Sequence, residues 1–160
     1  MKAAAIGAVL GGRTRPEIAA WTAEFVPRLV TAGMRRDALA TLEAHRRRGD
    51  LLVLLSASPD LYVPEIGRSL GFAATVCTGV EWNREQLTGR LTTPNRRGAE
   101  KARVLAALRH EHPGLEVVAY GNAASDLEHL ALADRAMLVN GSPRARHAAG
   151  RLKIDCVTWR

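Results

Sequence analysis

Two side chains in this sequence are suited to holding a phosphoryl group. Ser56 directly follows five consecutive apolar residues, and Lys101 stands near the start of a predicted helix. A serine hydroxyl and a neighbouring backbone amide, such as that of Ala57, can donate hydrogen bonds to phosphate oxygens, while a lysine ammonium neutralises their charge. These residue types predict a phosphate-binding site.

A third polar segment, residues 121–126, follows a second apolar run and has the sequence Gly-Asn-Ala-Ala-Ser-Asp. The side-chain oxygens of Asn122 and Asp126 are the kind of ligand that Mg²⁺ prefers. If this turn lies at the same sheet edge as Ser56, the sequence predicts a phosphate site beside a magnesium ion.

The central element of this prediction is the apolar run over residues 51–55. It shows no polar alternation, which is typical of a parallel strand buried on both faces. Ser58 and Pro59 then predict a helix start, with Ser58 as the cap, and Gly71 predicts its end. Ser56 would therefore lie at a strand end facing a helix N-terminus, where anions bind. In the alternative interpretation, the segment is an ordinary strand–turn–helix whose serine only caps.

The remaining elements alternate between strands and helices, which predicts an α/β fold with a mostly parallel sheet. Residues 51–55 and 115–119 are predicted as its central strands, with Ser56 and Asp126 at the same edge. Thr14 and Glu17 form a predicted capping box. Residues 3–10 have no clear state. Further strands are predicted over residues 74–78, 136–139 and 154–158, a hairpin over 81–92, and helices over 14–29, 34–48, 99–110, 127–133 and 144–149.

Composition is that of a single-domain globular chain. Its 160 residues, 47% of them hydrophobic, allow a sizeable core, but no apolar run is long enough to span a membrane. Cys77 and Cys156 are far apart and form no Cys-x-x-Cys pair, which favours a reducing compartment. The short apolar start makes a poor signal peptide. The sequence therefore predicts a cytoplasmic protein without membrane attachment.

The net charge of +7 could suit nucleic acid. However, no nucleic-acid motif is present, and only 4% of the residues are aromatic and available for base stacking. The densest basic run, residues 45–48, falls at the end of a predicted helix, where cations face the negative end of the dipole. A basic nucleic-acid-binding protein is therefore the weakest of the functional hypotheses.

Four segments, in their order and spacing, resemble the haloacid dehalogenase (HAD) superfamily, and most closely its phosphoserine-phosphatase-like class with a helical cap. They are residues 54–60, 87–91, 98–101 and 120–126. The resemblance implies a Rossmann-like core with a parallel sheet and helices on both faces, preceded by part of a cap. Residues 1–48 would be the cap remnant and residues 49–160 the core.

The resemblance also implies roles for the polar residues. In such enzymes an aspartate takes the phosphoryl group and water then hydrolyses the aspartyl-phosphate. By similarity, Ser56 and the Ala57 amide bind the substrate phosphate, and Lys101 is catalytic because it steadies both nucleophile and phosphate. Asn122 and Asp126 would be the Mg²⁺ ligands.

The chain departs from the family pattern at two places. The nucleophile motif, Asp-x-Asp after the first strand, is absent, and the two aspartates before residue 51, Asp37 and Asp50, lie in or beside a predicted helix. Asn122 and Ala123 stand where the family has aspartate and serine, and a neutral asparagine should weaken Mg²⁺ binding. The resemblance therefore implies that the first strand and early cap are missing, and it leaves open whether the protein begins upstream of Met1.

The missing strand would belong between the strands that precede Ser56 and Gly121. Buried backbone groups left unpaired there would cost about 1–3 kcal/mol each. The two strands could close on each other, residues 3–10 could fill the gap, or a second copy or a separate chain could supply the strand.

Two functional hypotheses of different classes follow. The first is a Mg²⁺-dependent phosphomonoester hydrolase lineage whose chain is, by itself, inactive or nearly so. The second is a non-catalytic phosphate-binding or regulatory module. Both expect a small phosphorylated molecule as the partner.

Overall fold

The computed structural model describes residues 1–160 and shows an α/β protein with parallel sheets. The chain divides into two compact units, an N-terminal unit, Met1–Arg96, and a C-terminal unit, Arg97–Arg160. The predicted division into a cap remnant over residues 1–48 and a core over residues 49–160 stays a prediction. No helix combines the length and hydropathy needed to cross a bilayer, and the cytoplasmic location stays a prediction.

The helices of the N-terminal unit are α1 Lys2–Leu10, α2 Arg15–Arg28, α3 Arg36–Arg47 and α4 Val63–Ser69, with a π-helical turn Leu29–Gly33 after α2. Residues 3–10, whose state the sequence left open, are helical and therefore do not fill a strand gap. The capping box at the start of α2 is confirmed. Thr14 Oγ1 accepts from the Glu17 amide at 3.4 Å, and Glu17 Oε2 accepts from the Thr14 amide at 2.8 Å.

The strands of this unit are β1 Val53–Pro59, β2 Ala74–Thr78, β3 Val80–Asn83 and β4 Gln86–Leu91. β1 and β2 are parallel, while β3 and β4 form the predicted antiparallel hairpin. The prediction for β1 was partly wrong. The strand begins at Val53, Leu51 is 49% exposed, and the strand is half-buried along its length rather than buried on both faces.

The predicted helix start at Ser58 and Pro59 is wrong, because both residues belong to β1. The ladder continues past a bulge after Leu55, and the Asp60 amide still donates to the Thr78 carbonyl at 2.9 Å. Continued strand pairing therefore outcompetes the local capping signal. Helix α4 begins four residues later, with a different proline in its first turn. Ser56 consequently lies within β1, and not at a helix N-terminus.

The C-terminal unit contains α5 Ala99–Glu111, β5 Val118–Gly121, α6 Leu127–Leu130, β6 Arg135–Val139, α7 Pro143–Arg151 and β7 Asp155–Val157, with a 3₁₀ turn Ala124–Asp126 before α6. Its sheet is parallel in the order β5-β6-β7. β5 starts later than predicted, and Leu115 is 55% exposed. Six buried residues form the core of this unit: Leu127, Leu130, Leu138, Ala145, Ala149 and Ile154.

The prediction that β1 and the strand before Gly121 are both central strands of one sheet is wrong. β1 pairs with β2 alone, and β5 is the edge strand of its own sheet. Each of the two strands pairs with the next strand along the chain, β1 with β2 and β5 with β6, and neither has a hydrogen-bonded strand on its other side. A second copy or separate chain that adds a strand stays a prediction.

We expect Leu138→Ala to lower the free energy of unfolding by about 2–5 kcal/mol, because Leu138 is fully buried in the core of the C-terminal unit and truncation leaves a cavity. Leu132→Ala is the control. That side chain is 44% exposed, so its loss should stay within about 0.5 kcal/mol. Urea unfolding measures both, and equal losses would contradict the assigned core.

Candidate phosphate site

A buried ion pair organises the polar side chains of the C-terminal unit. Lys101 Nζ donates to Asp126 Oδ1 at 2.8 Å, and the two side chains are only 13% and 6% exposed. Lys101 is the third residue of α5, and Asp126 ends the turn after β5. The helix starts at Gly98, whose φ of +58° is a conformation that favours glycine. The structure thus joins two of the predicted site residues.

The turn that carries Asp126 is closed by its own carboxylate. Asp126 Oδ2 accepts from the backbone amides of Asn122 and Ala123, both at 3.0 Å. The Asp126 amide donates back to the Ala123 carbonyl at 2.9 Å. Asn122 therefore joins the site through its backbone, while its side chain is exposed. The Asp126 carboxylate therefore fixes the conformation of this loop by accepting hydrogen bonds from its backbone amides.

Gly121 is required where β5 enters this turn. A Cβ added at Gly121 would lie 2.6 Å from Asp126 Cβ and 3.2 Å from its Oδ2. Real Cβ atoms do not approach other carbon atoms so closely, so any side chain here would displace Asp126. The glycine permits the carboxylate to lie against the end of the strand.

The surroundings fix the charge of Asp126. Burial by itself raises the pKa of this carboxyl, but the hydrogen bond and charge of Lys101, together with the Asn122 and Ala123 amides, outweigh burial and lower the pKa. The group is therefore an anion at neutral pH, and Lys101 is its counter-ion.

A third member of the cluster, His129, was missed by the sequence reasoning. It is 4% exposed, it lies within electrostatic reach of Lys101 and Asp126, and it hydrogen-bonds the Tyr120 backbone. Burial lowers the pKa of its imidazole, and the Lys101 charge lowers the pKa further, so the ring is neutral at pH 7. Its Nδ1 has no hydrogen-bond partner. Its place three residues after Asp126, on the helix that follows the turn, was the available signal.

The donor set at this turn does not fit a magnesium ion. Three of the roughly four lone-pair positions of a carboxylate are already used at Asp126, by Lys101 and two amides. No group of three or more histidine, cysteine, aspartate or glutamate side chains could hold a metal ion. A divalent cation near Asp126 would also face the Lys101 ammonium, and each pair of like unit charges about 4 Å apart costs on the order of 4 kcal/mol near a protein surface. Asp126 therefore holds the lysine, not Mg²⁺.

The other predicted phosphate residues, Ser56 and Ala57, lie in the N-terminal unit. The Ala57 carbonyl accepts from Lys2 Nζ and, at 2.8 Å, from Thr78 Oγ1. Lys2 Nζ also donates to Asn95 Oδ1 at 2.6 Å. Lys2, Thr78 and Asn95 were not predicted. Thr78 could have been found, because it ends the strand parallel to β1 and such ends meet at one edge.

Ser56 makes a local hydrogen bond within β1. Its Oγ accepts from the Ser58 amide at 3.1 Å, which leaves its O–H as a donor. None of the described contacts places a histidine or carboxylate beside the hydroxyl. The prediction that Ser56 and the Ala57 amide bind the same phosphate as Lys101 stays a prediction.

The fold and the ion pair define a class of α/β proteins with a lysine–aspartate pair at the carboxyl end of a parallel strand. The chain belongs to the haloacid dehalogenase-like hydrolase family, whose family model matches residues 1–131. The resemblance inferred from the sequence is therefore confirmed.

One curated protein is similar over most of this chain. Protein CicA of Caulobacter vibrioides is 32% identical over 136 residues, which cover 84% of this chain and 60% of CicA. This chain therefore spans about 60% of the length of that curated relative.

Two solved structures are similar in fold. A protein of unknown function from Bordetella pertussis Tohama I has a TM-score of 0.78 at 24% identity, over 91% of this chain and 67% of that one. A probable phosphoserine phosphatase from Vibrio cholerae has a TM-score of 0.67 at 17% identity, over 78% and 38%. At these identities the likeness concerns the fold alone.

Gly121→Ala should destabilise the protein by about 1–3 kcal/mol, because the added methyl displaces the Asp126 side chain. The matched control is Gly150→Ala in α7 of the same unit, where a Cβ would meet nothing within 4 Å. There the change should stabilise by about 0.5–1 kcal/mol, as expected for a helical glycine. Urea unfolding of both variants checks this, and a neutral or stabilising effect of Gly121→Ala would show that Gly121 has room for a side chain.

Lys101→Met should cost about 3 kcal/mol at about pH 7, because it leaves the buried Asp126 carboxylate without its cation. Because folding lowers the pKa of Asp126, its ionised carboxylate stabilises the folded state at pH values above the usual carboxyl pKa. This stabilisation is lost as the pH falls through the lower pKa of the folded state. In wild type that loss falls below about pH 4. In Lys101→Met the counter-ion is gone, so burial should raise the pKa of Asp126, and the difference from wild type should already narrow as pH falls from about 7 to about 4.

Urea unfolding at several pH values measures this difference. The control is Lys101→Met combined with Asp126→Asn, which should recover stability at neutral pH because no buried charge is left uncompensated. A penalty for Lys101→Met that is constant with pH would show that the lysine acts through its aliphatic packing instead.

Proposed function

We propose that this chain binds a small phosphomonoester through Lys101 and that, by itself, it hydrolyses the ester slowly or not at all. The observation that carries the proposal is the buried pair between Lys101 and Asp126 at 2.8 Å. It combines a fixed cation with a carboxylate that already accepts three hydrogen bonds. The similarity in fold to a probable phosphoserine phosphatase gives separate support for phosphoryl groups as the ligand class.

Lys101 is suited to bind a phosphate oxygen. Its ammonium has three N–H donors, and Asp126 Oδ1 takes one of them at 2.8 Å. The buried carboxylate fixes the direction of the ammonium, so little side-chain freedom is lost when an anion binds. A charge-assisted hydrogen bond to phosphate is about twice as strong as a neutral one. The same geometry supports the catalytic role that the resemblance implies for Lys101.

Neither of the two polar clusters described above supplies a nucleophile. Asp126 is held by a lysine and two amides, and its lowered pKa makes it a poorer base and nucleophile. In the N-terminal unit, the Ser56 hydroxyl has the Ser58 amide as its described partner, and no histidine or carboxylate is placed beside it to act as a base. Phosphoryl transfer needs a nucleophile placed in line with the leaving group. Binding is therefore better supported than hydrolysis.

Titration calorimetry with inorganic phosphate tests the proposal. Lys101→Met should weaken binding by about tenfold or more, which corresponds to about 1.4 kcal/mol. Lys153→Met, which removes an exposed lysine from the same unit, should bind like wild type. Lys101→Arg keeps the charge and controls for loss of folding, and it should bind with intermediate affinity.

The same protein samples should release little p-nitrophenol from p-nitrophenyl phosphate. Unchanged phosphate affinity in folded Lys101→Met would overturn the assignment of Lys101. Rapid turnover by wild type would overturn the statement that binding occurs without hydrolysis.

A further inference from the structure

The contacts of Asp126 leave little room for a metal ion on its carboxylate. Members of the family generally use Mg²⁺, yet Asp126 has Lys101 Nζ at 2.8 Å on one oxygen and two amides at 3.0 Å on the other. We infer that the C-terminal unit binds its phosphate ligand without a divalent cation, with the Lys101 ammonium supplying the positive charge. The inference rests on the proposed phosphate-binding function and adds that the binding is independent of metal.

The charge count of the turn supports this inference. Asp126 is the carboxylate of the cluster, and its negative charge is matched by Lys101. His129 is buried and neutral, so it adds no charge. Mg²⁺ keeps several waters and binds through one or two carboxylates together with substrate phosphate oxygens. With its one carboxylate already paired, this turn offers a bound cation too little negative charge.

Position 122 decides whether phosphate binding depends on Mg²⁺, because one more carboxylate there would add a metal ligand to the turn. The Asn122 amide holds Asp126 Oδ2, while its side chain is exposed and neutral. Asn122→Asp would leave that backbone hydrogen bond in place and add a carboxylate that is not paired with Lys101. One such carboxylate plus phosphate oxygens is a typical Mg²⁺ donor set. This variant should therefore gain a dependence on metal that wild type lacks.

Calorimetry with inorganic phosphate, in the presence of Mg²⁺ and again with a chelator, tests the inference. For wild type the two affinities should agree within about twofold, as expected when the sites are not coupled. For Asn122→Asp, Mg²⁺ should strengthen phosphate binding by about tenfold. Asn83→Asp adds the same charge on the exposed hairpin of the other unit and should behave like wild type, which controls for Mg²⁺–phosphate association in solution. Titration with Mg²⁺ alone should show no binding to wild type.

Each result is decisive. The inference is supported if wild type binds phosphate equally well with Mg²⁺ and with chelator while phosphate binding by Asn122→Asp depends on Mg²⁺. Wild-type binding that requires Mg²⁺ overturns the inference but leaves the proposed function intact. If the phosphate affinity of Asn122→Asp does not change with Mg²⁺, the role given to position 122 is wrong. A wild-type protein that binds phosphate in neither condition overturns the proposed function, and the inference with it.

Discussion

The C-terminal unit depends on the need to compensate one buried carboxylate. Asp126 is 4% exposed, and an isolated charge at that depth would cost several kcal/mol. Lys101, the amides of Asn122 and Ala123, and the absence of a side chain at Gly121 all serve to hold this charge. The conformation of the turn and the direction of the lysine both follow from that requirement.

The topology explains how the lysine reaches the aspartate across 25 residues of chain. α5 precedes β5, and β5 runs parallel to β6. A helix that is joined to the following strand by a short loop, as α5 is joined to β5, runs opposite to that strand, which brings its N-terminal turn towards the strand's carboxyl end. Lys101 is in that first turn, and Asp126 follows the end of β5. The fold therefore brings the pair together before any side-chain packing is specified.

The sequence was most informative where a pattern depended on local chemistry. The capping box of Thr14 and Glu17, the hairpin and the strand Ala74–Thr78 were predicted as they occur. The prediction failed at Ser58 and Pro59, where a local helix signal competed with strand pairing that the sequence does not reveal. The role of Lys2 could not be predicted, because it arises from contacts between distant segments for which no spacing rule exists. For His129 the one available signal was its place three residues after Asp126, since its burial is not visible in the sequence.

The sequence also identified the important residues at the turn, but the hydrogen bonds of Asp126 argue against the metal-ligand role predicted for it. Asp126 was predicted as a metal ligand because carboxylates and magnesium commonly go together, whereas the structure commits this carboxylate to Lys101. A carboxylate cannot compensate a buried lysine, accept two amide hydrogen bonds, coordinate a metal ion and attack a phosphorus atom at the same time, since its lone pairs are limited. Structural support and reactivity must therefore come from different carboxylates. In this cluster the one carboxylate gives structural support, so the geometry favours holding a phosphate over cleaving its ester.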